Sequence, residues 1–168
     1  MKIRSESVAD GPAIDEVTTA AFEHHPFSHQ TEAFIVEALR VAGALAVSLV
    51  AEEAGRVIGH IAFSRVTIAD GSSEWYGAGP LSVAPACQRR GIGTALVEAG
   101  LSRLKEQGAQ GCCLVGDPLY YKRFGFRSMP GLIHEGVPHE VFLALPFGPR
   151  LPQGAVTFHE GFGATGPA

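Results

Sequence analysis

Positive charge is scarce in this chain: 13 Lys and Arg stand against 17 Asp and Glu, a net charge of −4. That balance leaves no electrostatic footprint for a nucleic-acid backbone and suits a cationic partner such as an amine. Long apolar runs are missing too. The stretch from Val41 to Ala51 is too short to span a bilayer and reads as a buried strand, and the start Met1-Lys2-Ile3-Arg4-Ser5-Glu6 has no apolar signal core. Cysteine is limited to Cys87, Cys112 and Cys113, an odd set without metal-ligand spacing, and neighbours on a strand point to opposite faces. The expectation is a reduced, cytoplasmic protein with no membrane and no nucleic-acid partner. There is no internal repeat and no second domain. What remains is a chain of 168 residues, 46% hydrophobic and 18% charged, enough for one domain with a real core.

Taken in order, Lys2 to Ser5 is a short strand candidate, and Asp10-Gly11-Pro12 opens a helix whose stripe is Ile14, Val17 and Ala21. Thr31 to Arg40 has the spacing of a second helix. Between them, Phe22 to His29 holds His24, His25 and His29, but Pro26 interrupts helical continuity and no further ligand completes a tetrahedral set, so no metal is expected. Leu45 to Glu52, Arg56 to Ile68 and Glu74 to Val83 form an antiparallel meander. Gly77, Gly79 and Pro80 fit poorly in a central strand and predict a bulge or a splayed edge there. Helix Thr94 to Gln107, strand Gly111 to Gly116, a short helix Pro118 to Phe124 and a last core strand Glu140 to Leu145 follow, with Met129 to His139 a loop. Prolines 146, 149 and 152 suggest an extended connection, Gly154 to His159 an edge strand, and Gly161 to Ala168 a mobile tail.

The stretch from Leu81 to Gly100 organises the rest. An apolar strand runs into Gln88-Arg89-Arg90-Gly91-Ile92-Gly93-Thr94 and then a helix. Glycines at 91 and 93 let the backbone turn and bring successive amides against an anion, which the helix N-terminus and Arg89 and Arg90 also favour. This segment resembles the acyl-CoA loop of the GNAT N-acetyltransferases, and Tyr121-Lys122-Arg123-Phe124-Gly125-Phe126 resembles that family's Tyr-x-x-x-Gly-Phe segment. The resemblance implies an α/β GNAT fold, with a mixed, mostly antiparallel sheet of six to seven strands flanked by about four helices. That domain would occupy residues 1–145, with 146–168 a Pro- and Gly-rich extension.

It further implies an N-acetyltransferase that moves an acetyl group from acetyl-CoA directly to a primary amine of a small molecule or protein, as a monomer or homodimer. The acyl donor would lie against Leu81, Ser82, Val83, Gln88, Arg89, Arg90, Gly91, Ile92, Gly93, Thr94, Asp117 and Tyr121. Asp117 departs from the Asn found in many family members. Tyr121 would protonate the leaving thiolate, a phenol being neutral near neutral pH, while Lys122, Arg123 and Arg127 are further candidates for holding phosphates. By the same resemblance, Phe22, Glu23, His24, His25 and Phe27 in the helix connection would contact the acceptor. For the general base, Glu74 and His60 are the candidates by their positions in the meander. Two alternatives stand beside this reading: a non-catalytic acyl-CoA sensor on the same fold, and a dinucleotide-binding oxidoreductase. The second is opposed by Leu96 at the third glycine position and by the absence of further strand-helix alternation.

Overall fold

Period-two alternation in the first half of the chain builds a meander onto which the remaining strands are added. In the computed structural model, which describes residues 1–168, the elements are β1 (Lys2–Ser5), α1 (Gly11–Phe22), α2 (Glu32–Val41), β2 (Val47–Glu53), β3 (Arg56–Arg65), β4 (Thr67–Ile68), β5 (Trp75–Val83), α3 (Ile92–Glu106), β6 (Gly111–Val115), α4 (Pro118–Tyr121), β7 (Leu132–Ile133), β8 (Phe142–Pro146) and β9 (Gly154–Thr157). Six strands form the main sheet in the order β1-β2-β3-β5-β6-β8, and a three-stranded sheet has the order β4-β9-β7. All main-sheet neighbours are antiparallel except β5 and β6, which run parallel.

Helix α3 covers one face of the sheet. Its Leu96, Val97, Leu101 and Leu104 are buried with Leu49, Ile61, Phe63, Tyr76 and Leu114 in one apolar cluster, each such side chain contributing about 1.5–3 kcal/mol of burial. Gly100 lies where a Cβ would collide with the Phe63 ring, so the helix packs this closely only because that position is glycine. The other face carries α1 and α2: Ile14 and Val36 pack on Val50. Cys112 and Cys113 are both buried, one in the cluster under α3 and the other on the opposite face with Trp75, Phe142 and Val156.

The parallel pair is short. Only Trp75 with Gly111, Tyr76 with Cys112 and Gly77 with Cys113 are paired, and beyond them the two strands part. The extra residue predicted from Gly77, Gly79 and Pro80 is present in β5, where Ile61 faces Leu81 but Phe63 faces Ala78. A bulge twists the strand away from its neighbour, which leaves a wedge between β5 and β6 with unpaired backbone on its walls.

Four expectations need correction. Helix α3 begins at Ile92, two residues before Thr94, because Gly91 takes a left-handed conformation (φ 81°) and serves as its cap. The segment Met129 to His139 is not wholly loop, since Leu132 and Ile133 pair with Gly154 and Ala155. The segment Gly161 to Ala168 is not simply a mobile tail: Glu160–Gly163 forms a 3-10 turn, and Gly161 is buried against Leu39 of α2. The edge strand expected at Gly154 to His159 is β9, which lies in the middle of the small sheet between β4 and β7, with Val156 and Phe158 packed on the apolar cluster of Trp75 and Phe142.

Candidate active site

The wedge opens into a cavity of about 1750 Å³ that passes between β5 and β6 and reaches both faces of the sheet. On the α3 face its wall includes Leu81, Val83, Gln88, Arg89, Gly91 to Thr94, Gly116, Asp117, Tyr120 and Tyr121. On the α1 and α2 face it includes Phe22, His25, Phe27, Glu32, His134, Phe158 and Phe162.

The loop into α3 is shaped for an anion. Arg89 and Gly91 both have positive φ (62° and 81°), which folds the backbone tightly ahead of the helix. The first intrahelical bond runs from the Ala95 N–H to the Gly91 carbonyl at 3.0 Å, so the preceding amides of the first turn are free to meet a ligand. Gly93 keeps that surface clear. A Cβ there would stand 3.3 Å from the Tyr120 hydroxyl and close to Val83 and Leu81. Tyr120 itself is fixed, its hydroxyl 3.1 Å from Thr94 Oγ1 and its ring 4.3 Å beneath the Arg123 guanidinium carbon. Arg89 lines the cavity, whereas Arg90 turns away and pairs with Glu53 at 2.8 Å.

Along β5 the strand backbone forms the cavity wall beside the Leu81 and Val83 side chains. The Ala84 N–H donates to the Ile58 carbonyl on the β3 side. Alternation along the strand therefore points the Val83 and Leu81 amides into the wedge. The Val83 carbonyl already accepts the Gln88 side-chain amide at 3.1 Å. Ser82 lies between them with its side chain buried on the other face, outside the cavity wall.

Tyr121 sits against Gly116, just past the end of β6, where any Cβ would meet its ring. Phe126 and Tyr120 pack edge-on to it, at centroid distances of 6.0 and 4.9 Å. Burial pushes its phenol up to about 12, so it holds its proton at neutral pH. Asp117 borders the same wall, but its carboxylate caps α4 by accepting the Leu119 N–H at 2.9 Å.

The two base candidates lie elsewhere. Glu74 precedes β5 at its closed, fully paired end, outside the cavity wall, and accepts from Arg65 at 2.7 Å and from Tyr76 at 2.9 Å. The Arg65 guanidinium, with the Tyr76 hydroxyl, lowers its carboxyl below the usual range. Closeness in sequence to β5 does not bring Glu74 to the wedge, because Trp75 to Gly77, paired to β6, stand between them. His60 is fully buried under α1, with Nε2 2.8 Å from Ser48 Oγ, and also lies outside the wall.

Burial lowers the His60 imidazole from 6.5 to about 4, against the opposing effect of Glu6. A folded value below the unfolded one means that the unfolded chain binds more protons in the interval, so this contribution is complete above about 6.5 and is lost as pH falls towards 4. Urea unfolding should therefore show about 1 kcal/mol less stability at pH 5.5 than at pH 7. In His60→Gln that slope should flatten; an equal slope in both proteins would remove His60 as its cause.

Of the proposed acceptor contacts, Phe22, His25 and Phe27 line the cavity, while Glu23 and His24 are exposed outside it. Residues beyond the helix connection complete that side, among them His134, Phe158, His159, Glu160 and Phe162. Phe158 and Phe162, four apart in a Gly-rich carboxyl-terminal segment, were the available sequence signal.

Residues 45–128 match the family model described as "Acetyltransferase (GNAT) domain". The chain belongs to the GNAT acetyltransferases. It is 39% identical over 127 residues to the Uncharacterized N-acetyltransferase YhbS of Escherichia coli K12, covering 75% of this chain and 73% of that protein. Among solved structures, a GNAT family acetyltransferase from Brucella melitensis in complex with acetyl-CoA superposes with a TM-score of 0.86 at 48% identity, over 96% of this chain and 97% of that one. Escherichia coli YhbS in complex with CoA gives 0.87 at 32% identity, over 99% and 93%. GNAT membership makes the chain an acyl-CoA-dependent N-acyltransferase, with the α/β GNAT fold expected from its motifs. The dinucleotide-binding alternative is overturned, since the strand entering the glycine loop is antiparallel to its β3 neighbour. No helix is long and apolar enough to cross a membrane.

Proposed function

We propose that this GNAT protein transfers the acetyl group of acetyl-CoA directly to a primary amine, with donor and acceptor meeting in the wedge between β5 and β6. The observation that carries this reading is the single cavity through the sheet, with free helix-α3 amides on one face and an aromatic chamber on the other. The residues fit the donor: first-turn amides and Arg89 suit its pyrophosphate, Gly93 leaves the approach open, and the unpaired edge of β5 suits its amide-bearing arm. Bound there, acetyl-CoA supplies an activated acyl carbon with a thiolate leaving group.

The chain's own groups would act around it. Of the Val83 and Leu81 amides, which lie about 7 Å apart along the strand, one would bond the acyl oxygen and stabilise charge developing on it while the other would hold the amide-bearing arm. Tyr121, neutral and on the α3 face, is placed to give its proton to sulfur. The acceptor would enter from the opposite face. Its chamber carries the carboxylates of Glu32 and Glu160 and the rings of Phe22, Phe27, Phe158 and Phe162, with no Lys or Arg on that side. Such a lining favours a protonated amine carried on an apolar or aromatic body.

The test is isothermal titration with acetyl-CoA, CoA and NADH, followed by thiol release from acetyl-CoA across a panel of amines. Binding of both CoA species with amine-dependent thiol release supports the reading. Binding without turnover of any amine would favour a non-catalytic sensor, and no CoA binding would refute the proposal.

A further inference from the structure

Three histidines line the cavity, and their hydrogen bonds sort them. The His25 Nδ1 accepts the Phe27 N–H at 3.3 Å, and the His159 Nδ1 accepts the Gly161 N–H at 2.9 Å. Each neutral ring therefore carries its proton on Nε2 and has no free lone pair for the cavity. His134 is the reverse. Its Nδ1 lies 2.9 Å from the Val156 carbonyl, which can only accept, so the proton sits on Nδ1 and Nε2 holds an uncommitted lone pair.

The ring is also held at the wedge. It packs in a triad with Phe142 and Phe158, tilted to them at 39° and 45°, with centroids 5.6 and 4.9 Å away. Phe158 covers Gly77, where a Cβ would come within 2.7 Å of that ring, and Gly77 with Cys113 is the last pair before β5 and β6 part. Phe142 lies opposite Val115 at the end of β6. His134 thus stands beside the apex on the face opposite Tyr121, since its neighbours Phe142, Phe158 and Val156 belong to the cluster with Cys113 and Trp75, while Tyr121 packs against the α3 cluster.

Resting on the acetyltransferase reading above, we infer that His134 is the catalytic base, taking a proton from the acceptor ammonium through Nε2. The ammonium gives one proton to Nε2 and becomes a neutral amine; the nitrogen–carbon bond forms and the carbon–sulfur bond breaks, its electron pair going to sulfur. Tyr121 gives its proton to that sulfur. The second N–H proton of the amine restores the phenol through solvent, and the His134 imidazolium releases its proton to solvent, a net release of one proton. Placing base and acid on opposite faces lets the amine arrive on one side of the acyl carbon while the thiol departs on the other.

His134→Asn is the informative variant, because the Asn side-chain amide can still donate to the Val156 carbonyl while the Nε2 lone pair is gone. Its kcat/KM for the best amine should fall about 10²-fold, with acetyl-CoA affinity by titration within about twofold of wild type. A variant that binds acetyl-CoA and keeps kcat/KM within about twofold overturns the assignment and leaves the acetyltransferase reading standing. A wild-type protein that binds no acetyl-CoA, or acetylates no amine, overturns both. Independently of turnover, nitrogen NMR of the wild-type histidine rings should show His134 protonated on Nδ1 and bare on Nε2; the opposite tautomer would also overturn it.

Discussion

Replacing Tyr121 with phenylalanine should lower kcat about 10³-fold while leaving acetyl-CoA affinity within about twofold of wild type. The ring remains apolar and keeps its seat against Gly116 and Phe126, so the cavity wall is preserved. What disappears is the proton that burial holds on the oxygen to about pH 12. Without it, the thiolate must leave unprotonated or wait for water. Tyr120→Phe is the matched control. Its hydroxyl is already engaged with Thr94 Oγ1, so that variant should affect acetyl-CoA binding more than kcat. If Tyr121→Phe turns over normally, the proton donor lies elsewhere; if both variants lose kcat equally, the two phenols share the role.

The second large effect is at the cradle. Gly93→Val should weaken acetyl-CoA binding about 10²-fold with little change in Tm. Gly93 lies within α3 at negative φ, so valine imposes no left-handed strain, unlike a substitution at Gly91 with its φ of 81°. The fold should therefore survive, and the loss should be confined to binding. Its added atoms would crowd the Tyr120 hydroxyl, 3.3 Å from the Cβ position, and cover the first-turn amides. Titration and thermal melting of the same preparation check both parts. Unchanged affinity would mean that the donor's anionic groups do not approach this turn, and a collapsed Tm would mean that Gly93 serves packing instead.

Much of the geometry of the proposed donor side is legible in the sequence because its signals are local. The turn at Arg89 to Gly93 needs glycine and positive φ within a few residues, and the wedge is announced by Gly77, Gly79 and Pro80 in a strand that otherwise pairs well. Arg90 could not be separated from Arg89 in this way, since its partner Glu53 lies across the sheet edge. The acceptor side was only half legible. Phe22, His25 and Phe27 lie in one connection, but Phe158 and Phe162 reach the same chamber from a segment whose sequence signals only an extended connection, an edge strand and a tail. His134 was out of reach entirely, because its role depends on which nitrogen faces Val156, a contact made across the small sheet. Glu74 is the complementary case: it lies near β5 in sequence but outside the cavity, at the end where that strand is still paired.

Direct transfer across the wedge is distinguished from a covalent acyl-enzyme by an initial-velocity matrix varying acetyl-CoA and the best amine, read together with the intact mass of protein incubated with acetyl-CoA alone. Intersecting double-reciprocal lines and an unchanged protein mass are the predicted result, because both reactants must occupy the cavity together. Parallel lines, with a protein that has gained one acetyl group, would contradict it by showing that the acyl group rests on the chain before the amine arrives.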